Sequence, residues 1–222
     1  MHLAVGTSFA IIIPTSLISV LTHKKHGSVD FSVIKNYAIF VIIGVLSGTI
    51  FAAILHTKSL LLFFTVIVYL LGAYLLNLRD KKNKLKTNFN LLPRVLLGFV
   101  SGFISATMGI GGAVMNVPIL RYFGYPINKA IGSAAAIGSV ISLFGAIGFL
   151  ITGSYLKTDL PLSIGFINIP AFLIFIPITM VMARVGANTV QKIDKSKLQR
   201  FFGIFLYLVG TVFLYRFLTI WL

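Results

Sequence analysis

Acidic residues are nearly missing from this sequence, and cysteine is missing altogether. Glutamate does not occur, and the four carboxylates are Asp30, Asp80, Asp159 and Asp194. All four lie in loops or at the ends of apolar runs, so the usual carboxylate proton relay at membrane depth has no residues to form it. Without cysteine there is no disulfide framework, no thiolate zinc site and no cysteine nucleophile. Histidine is scarce too, and His2, His23, His26 and His56 sit at the ends of apolar runs. His23 and His26 with Asp30 could offer metal ligands, but a metal needs convergent donors and a solvated loop is the better reading. No Ser-His-Asp order, Walker loop or zinc-protease motif places catalysis here, and nothing implies a cofactor. Met1-His2-Leu3 enters an apolar run with no basic n-region, so no signal peptide is visible.

What the sequence does contain is apolar. Hydrophobic residues make up 58% and charged residues 10%, whereas soluble domains are about one quarter charged. A polytopic membrane protein follows. Nineteen Lys and Arg give a net charge of +15. They fall between apolar runs, which fits membrane topology and anionic lipid headgroups rather than nucleic acid.

Six stretches, 3–22, 37–55, 59–78, 130–151, 160–183 and 200–220, are apolar enough for a helix of about 20 residues to cross the hydrocarbon. A seventh, 95–120, carries Gly98, Gly102, Gly109, Gly111, Gly112 and Pro118. Its Thr107–Gly112 stretch is a poor helix, because closely spaced glycines favour an unwound backbone. Pro14, Pro170 and Pro177 fall inside spans and are expected to bend them.

The sequence repeats itself. At an offset of 126, Ala4-Val5-Gly6-Thr7 matches Ala130-Ile131-Gly132-Ser133, and Gly27-Ser28 matches Gly153-Ser154. At an offset of 138, Gly48 matches Gly186, Phe63-Phe64 matches Phe201-Phe202, Tyr69 matches Tyr207, and Gly72 matches Gly210. Twelve extra residues are thus expected between Ser154 and Gly186. The expected organisation is one membrane domain, 1–222: repeat one at 1–78, a basic linker at 79–93 and repeat two at 94–222. Repeat one has no counterpart of 95–120, so it reads as truncated, or as started too late.

The basic residues choose between two topologies. If 95–120 crosses the membrane, the two sides carry 11 and 8 Lys/Arg. If it dips in and returns, the later loops change sides and the division becomes 16 to 3. The positive-inside rule prefers the dip. The loop after residue 78 is then cytoplasmic, Met1 and Leu222 are outside, and the repeats are inverted, as in many secondary transporters. The expected fold class is an all-α polytopic membrane protein. It has about six full transmembrane helices plus a glycine-broken re-entrant hairpin, in two inverted repeats.

Unwound backbone at membrane depth is tolerated where protein buries it or water lines it. A break at Gly109, Gly111 and Gly112 aims the N-terminus of the next half-helix, at Ala113, into the membrane. Free N–H groups and the helix dipole there attract an anion. Asn116 could add a donor, and Ser133, with its counterparts Thr7 and Ser8, could add hydroxyls. Against this stand close helix packing for the glycines and hydroxyl-to-backbone bonding for each Ser or Thr.

Several of these motifs are similar to those of a known family. Gly98-Phe99-Val100-Ser101-Gly102, Met108-Gly109-Ile110-Gly111-Gly112 and Val117-Pro118-Ile119-Leu120 resemble the glycine-rich signature of the sulfite exporter TauE/SafE (TSUP) anion permeases. Lys129–Ser133, Gly165-Phe166-Ile167-Asn168-Ile169-Pro170, Arg184–Ala187 and the basic loop His23–Asp30 also resemble elements of that family, in the same order. The resemblance implies a multi-pass protein of the bacterial inner membrane that moves sulfite, sulfonates or related organic anions. Expected partners are the lipid bilayer and a small anionic substrate; a homo-oligomer is left open. The alternative is a non-transporting membrane subunit or assembly partner.

Overall fold

The computed structural model describes residues 1–77, 91–156, 161–190 and 192–219. Most of the 79–93 linker lies outside them, as do Asp80, Lys157 and Asp159. Among the described residues there are eight helices: α1 (His2–Lys25), α2 (Phe31–Ile54), α3 (Thr57–Asn77), α4 (Leu91–Met108), α5 (Ala113–Tyr122), α6 (Ile127–Tyr155), α7 (Ile169–Val190) and α8 (Lys195–Thr219). Strands β1 (Ser163–Ile164) and β2 (Ile167–Asn168) form one antiparallel hairpin before α7. Among the described residues, α1, α2, α4, α6 and α7 are long and apolar enough to span a membrane, while α3 and α8 contribute shorter apolar stretches.

The helices fall into two compact units. The larger contains α1, α2, α4, α5, α6, the hairpin and most of α7. Antiparallel α1 and α6 form its core, with Phe9, Ile137, Ile141 and Phe149 fully buried. Phe9 lies flat on Gly145 and stacks near Phe149, ring centroids 6.0 Å apart. Beside this pair, α2 and α4 run in the same direction. Gly44 and Gly48 of α2 meet the backbone of Phe99 and Phe103, and Gly102 of α4 meets that of Val41. In lipid, dispersion between closely approaching backbones replaces the hydrophobic drive, and small residues four apart permit that approach.

The long glycine-rich stretch is broken, and its second piece folds back. A straight helix would separate Ser101 and Asn116 by about 22 Å; instead the Ser101 hydroxyl donates to Asn116 Oδ1 at 2.9 Å. Accordingly, the start of α4 and the turn after α5 share one end of the unit. Burial and then the Asp30 charge raise the Tyr125 phenol pKa, Arg94 opposes them, and Lys129 acts on Asp30. At the opposite end, His2 Nε2 lies 2.9 Å from the Ala52 carbonyl oxygen.

The span expected at 160–183 is corrected. Residues 163–168 pair as strands around Gly165, whose φ of +55° suits glycine. The helix starts only at Ile169, where the Asn168 side chain caps it by accepting the Ala171 N–H at 2.9 Å. Pro170 therefore stands in the first turn of α7, where its missing N–H costs nothing, and does not bend it. Pro14 and Pro177 do lie inside helices.

The smaller unit is an antiparallel pair, α3 against α8, with reciprocal packing. The Tyr69 ring covers Gly210 and the Tyr207 ring covers Gly72. The two rings meet edge-on at 5.4 Å, and Tyr69 Oη pairs with Thr211 Oγ1 at 3.0 Å.

Candidate functional site at the helix break

The break is held open by its own residues. Helix α4 ends at Met108, and Gly109 turns the chain with φ +66°. Val5 of α1 packs against Gly109, so a Cβ there would lie 3.0 Å from Val5 Cγ1. The Ser8 hydroxyl donates to the Gly109 carbonyl at 2.9 Å. On the far side Gly112 sits on α6, close enough to Gly138 that a Cβ would lie 3.0 Å from its backbone. Gly111 is different: a Cβ there would meet only Ile12, at 3.8 Å. Ala113 is exposed and Ile110 and Gly111 are half-buried. The break thus has one open side, at Gly111 and Ala113.

Helix α5 begins without a side-chain cap. Its first helical hydrogen bond runs from the Asn116 N–H to the Gly112 carbonyl at 2.9 Å. The N–H groups of Ala113, Val114 and Met115 precede that ladder and point out of the helix end. They carry the positive end of the helix dipole.

Five of the eight expected site residues, Gly109, Gly111, Gly112, Ala113 and Asn116, form the break, and Ser8 touches it. Asn116 plays a different part from that expected. It is fully buried; Nδ2 donates to the Gly112 carbonyl at 2.7 Å and Oδ1 accepts from Ser101. Its amide braces the turn from inside α5. Ser105 was not among the expected residues. It is 1% exposed, its hydroxyl has no hydrogen-bond partner among the described residues, and it stands one turn before Gly109. The signal available was its place on the Ser101–Ser105–Gly109 face of α4.

Thr7 and Ser133 lie away from the break, at two matching junctions. Ser133 Oγ accepts the Asp30 N–H at 2.9 Å, and Thr7 Oγ1 accepts the Asn168 N–H at 2.9 Å. Beside them, a Cβ on Gly132 would fall on the Ser28 carbonyl oxygen, and one on Gly6 on that of Phe166. Both loops turn at a left-handed glycine, Gly27 (φ +62°) and Gly165 (φ +55°). Each loop ends in a cap, because Asp30 Oδ1 accepts the Ser32 N–H at 3.0 Å as Asn168 does for α7. The Ser32 hydroxyl is the main reason the Asp30 carboxyl sits below its ordinary pKa of 3.8; two backbone N–H groups and Lys129 add to it, and burial opposes them. Gly27 thus shares its left-handed turn with Gly165, whereas Gly153 lies within α6.

The family described as Sulfite exporter TauE/SafE matches residues 1–213. A probable membrane transporter protein of Haemophilus influenzae is 30% identical over 212 residues, covering 95% of this chain and 80% of the relative. One from Methanocaldococcus jannaschii is 25% identical over 205 residues, covering 88% of this chain and 73% of the relative. One from Bacillus subtilis is 24% identical over 238 residues, covering 97% and 81%. No solved structure matches.

Proposed function

The chain belongs to the sulfite exporter TauE/SafE family, and from that premise we propose that it is a permease for small anions, sulfite and sulfonates first among them. The observation that carries this reading is the uncapped start of α5 beside the open side of the break at Gly111. An oxyanion there would accept hydrogen bonds from the N–H groups of Ala113 and Val114 and gain from the helix dipole. Gly111 admits it because a side chain would fill the space. Ser8 and Asn116 hold the backbone in shape, and Ser105 supplies a spare buried hydroxyl close by.

The return of α5 toward the start of α4 supports a hairpin that enters and leaves a bacterial inner membrane on the cytoplasmic side. With it, the basic residues divide 16 to 3. The reciprocal junctions at Gly6–Thr7 and Gly132–Ser133, and the reciprocal Tyr–Gly packing of α3 and α8, support two inverted repeats. Rocking of one repeat against the other would alternate access.

Purified protein in liposomes should exchange labelled sulfite or a small sulfonate. The Gly111→Leu variant should lose that exchange while keeping its melting temperature, since a Cβ at Gly111 meets only Ile12, at ordinary contact distance. Equal exchange by both proteins would overturn the reading.

A further inference from the structure

Most polar side chains around the break are already engaged. The Ser8 hydroxyl goes to the Gly109 carbonyl, that of Ser101 to Asn116, and that of Thr107 to the Ile104 carbonyl. The Asn116 amide goes to the Gly112 carbonyl. Ser105 differs: it is buried, and its hydroxyl has no hydrogen-bond partner among the described residues. The register of the hairpin fixes where it stands. α4 and α5 run antiparallel, and the Ser101–Asn116 bond sets those two residues level. Ser105 lies one turn further along the same face of α4, and Gly112 one turn before Asn116. Ser105 therefore stands opposite the uncapped start of α5. A buried hydroxyl without a partner is costly, and beside it lie N–H groups that also lack one. A ligand that accepts hydrogen bonds satisfies both.

The site has no full positive charge to set against that ligand. In α1, α4, α5 and α6, which build the break, the Lys and Arg residues are Lys24, Lys25, Arg94, Arg121 and Lys129, all in first or last turns. None of the four helices holds an Asp or Glu. What remains is the dipole of α5, equivalent to about half a unit charge, and neutral donors. The cost of taking an ion out of water grows with the square of its charge, whereas the return from a fixed dipole grows only in proportion to it. A singly charged oxyanion is largely compensated here, and a doubly charged one is not. Sulfite exists near neutral pH both as the dianion and as hydrogen sulfite.

We propose that the break selects singly charged oxyanions, sulfonates and hydrogen sulfite, against doubly charged ones such as sulfate and the sulfite dianion, and that Ser105 is the side chain that binds them. The inference rests on the permease reading above and narrows its substrate. Sulfite is then carried together with its proton. Hydrogen sulfite enters from one side, and after release it divides into sulfite and a proton, both left in the receiving solution. No carboxylate relay is needed, in keeping with helices that contain no carboxylate.

Sulfate and methanesulfonate test the charge directly, because they differ by an oxygen in place of a methyl group and are nearly equal in size. The wild-type protein in liposomes exchanges labelled methanesulfonate, and each anion is added as a competitor from mildly acid to mildly alkaline pH. Sulfate is expected to compete at least about tenfold less well than unlabelled methanesulfonate, because its second charge is uncompensated at membrane depth. Sulfite should compete better as the pH falls and the share of hydrogen sulfite rises, while methanesulfonate exchange stays constant. Ser105→Ala should raise the KM for methanesulfonate severalfold at an unchanged or higher melting temperature, since the hydroxyl it removes holds nothing in the free protein. Sulfate that competes as well as methanesulfonate, or sulfite that competes better as the pH rises, overturns the charge selection. An unchanged KM in Ser105→Ala overturns the role of Ser105. These results leave the permease reading standing, whereas a wild-type protein that exchanges none of the anions would overturn that reading and this inference together.

Discussion

The junctions at Gly132–Ser133 and Gly6–Thr7 make the same contacts by different routes. In the first, a short turn from Gly27 to Asp30 lays the Ser28 carbonyl on Gly132 and gives the Asp30 N–H to Ser133. In the second, a two-stranded hairpin lays the Phe166 carbonyl on Gly6 and gives the Asn168 N–H to Thr7. The chain between helices differs at the two junctions, while the glycine, the hydroxyl and the cap play the same roles in both. A Gly-hydroxyl pair at a helix start therefore identifies here a place where a loop is clamped. The break at Gly109–Gly112 has no such clamp on its Gly111 side, and that separates a binding candidate from a structural motif.

The largest effect should come from filling a clamp. Gly132→Val or Gly6→Val sets a side chain on a backbone carbonyl that cannot move away without displacing a loop. A loss of about 3 kcal/mol is expected, at the upper end of ordinary overpacking, read as a fall in the melting temperature in detergent. Near-equal losses would support equivalent junctions; a neutral result at either would break the comparison.

Removing the hydroxyls should come next. Ser133→Ala and Thr7→Val each leave a loop N–H unpaired, which costs about 1–3 kcal/mol when the group is buried. Anion exchange per folded molecule should be unchanged. If Ser133→Ala abolishes exchange at unchanged stability, that junction is a substrate site after all.

The caps should matter less, at about 1 kcal/mol each for Asp30→Ala and Asn168→Ala. Acid should tell them apart. The Asp30 carboxyl is held below 3.8 chiefly by the Ser32 hydroxyl, so its charged form is favoured in the folded state. Its contribution is present above the ordinary carboxylate pKa and fades as the pH falls through its own lower value. Asn168 does not titrate. The stability difference between wild type and Asp30→Ala should therefore shrink at low pH, and that for Asn168→Ala should not. The effect is small, because Asp30 is largely solvated.

The smallest change is expected at Gly186→Ala, neutral or stabilising by less than about 1 kcal/mol. Gly48→Ala, the same substitution on α2, should lower the melting temperature, since its Cβ would press on Phe103 and Ala106.

Much of this was legible in the residues. The glycine cluster announced the break because several glycines in six positions cannot hold a helix against solvent or lipid, and the basic residues favoured a returning hairpin. The match of Gly6–Thr7 to Gly132–Ser133 was readable, and the two pairs make the same kind of contacts. The match of Gly27 to Gly153 followed the arithmetic, whereas it is Gly165 that shares the left-handed backbone of Gly27. Sequence spacing records separation along the chain and carries no φ. For the same reason 160–168 read as the start of a span, although the Asn168 cap fixes the helix start at Ile169.

The sequence by itself determined the membrane class, the place of the break and the family resemblance, because each follows from local composition or from motif order. Only the tertiary structure decided what each polar group does. Asn116 takes the Ser101 hydroxyl, Ser133 and Thr7 hold loops from distant parts of the chain, and Ser105 keeps a hydroxyl that has no partner among the described residues. The partners of Asn116, Ser133 and Thr7 lie 15, 103 and 161 residues away in sequence, and such pairings are set by how helices pack, which no local pattern encodes.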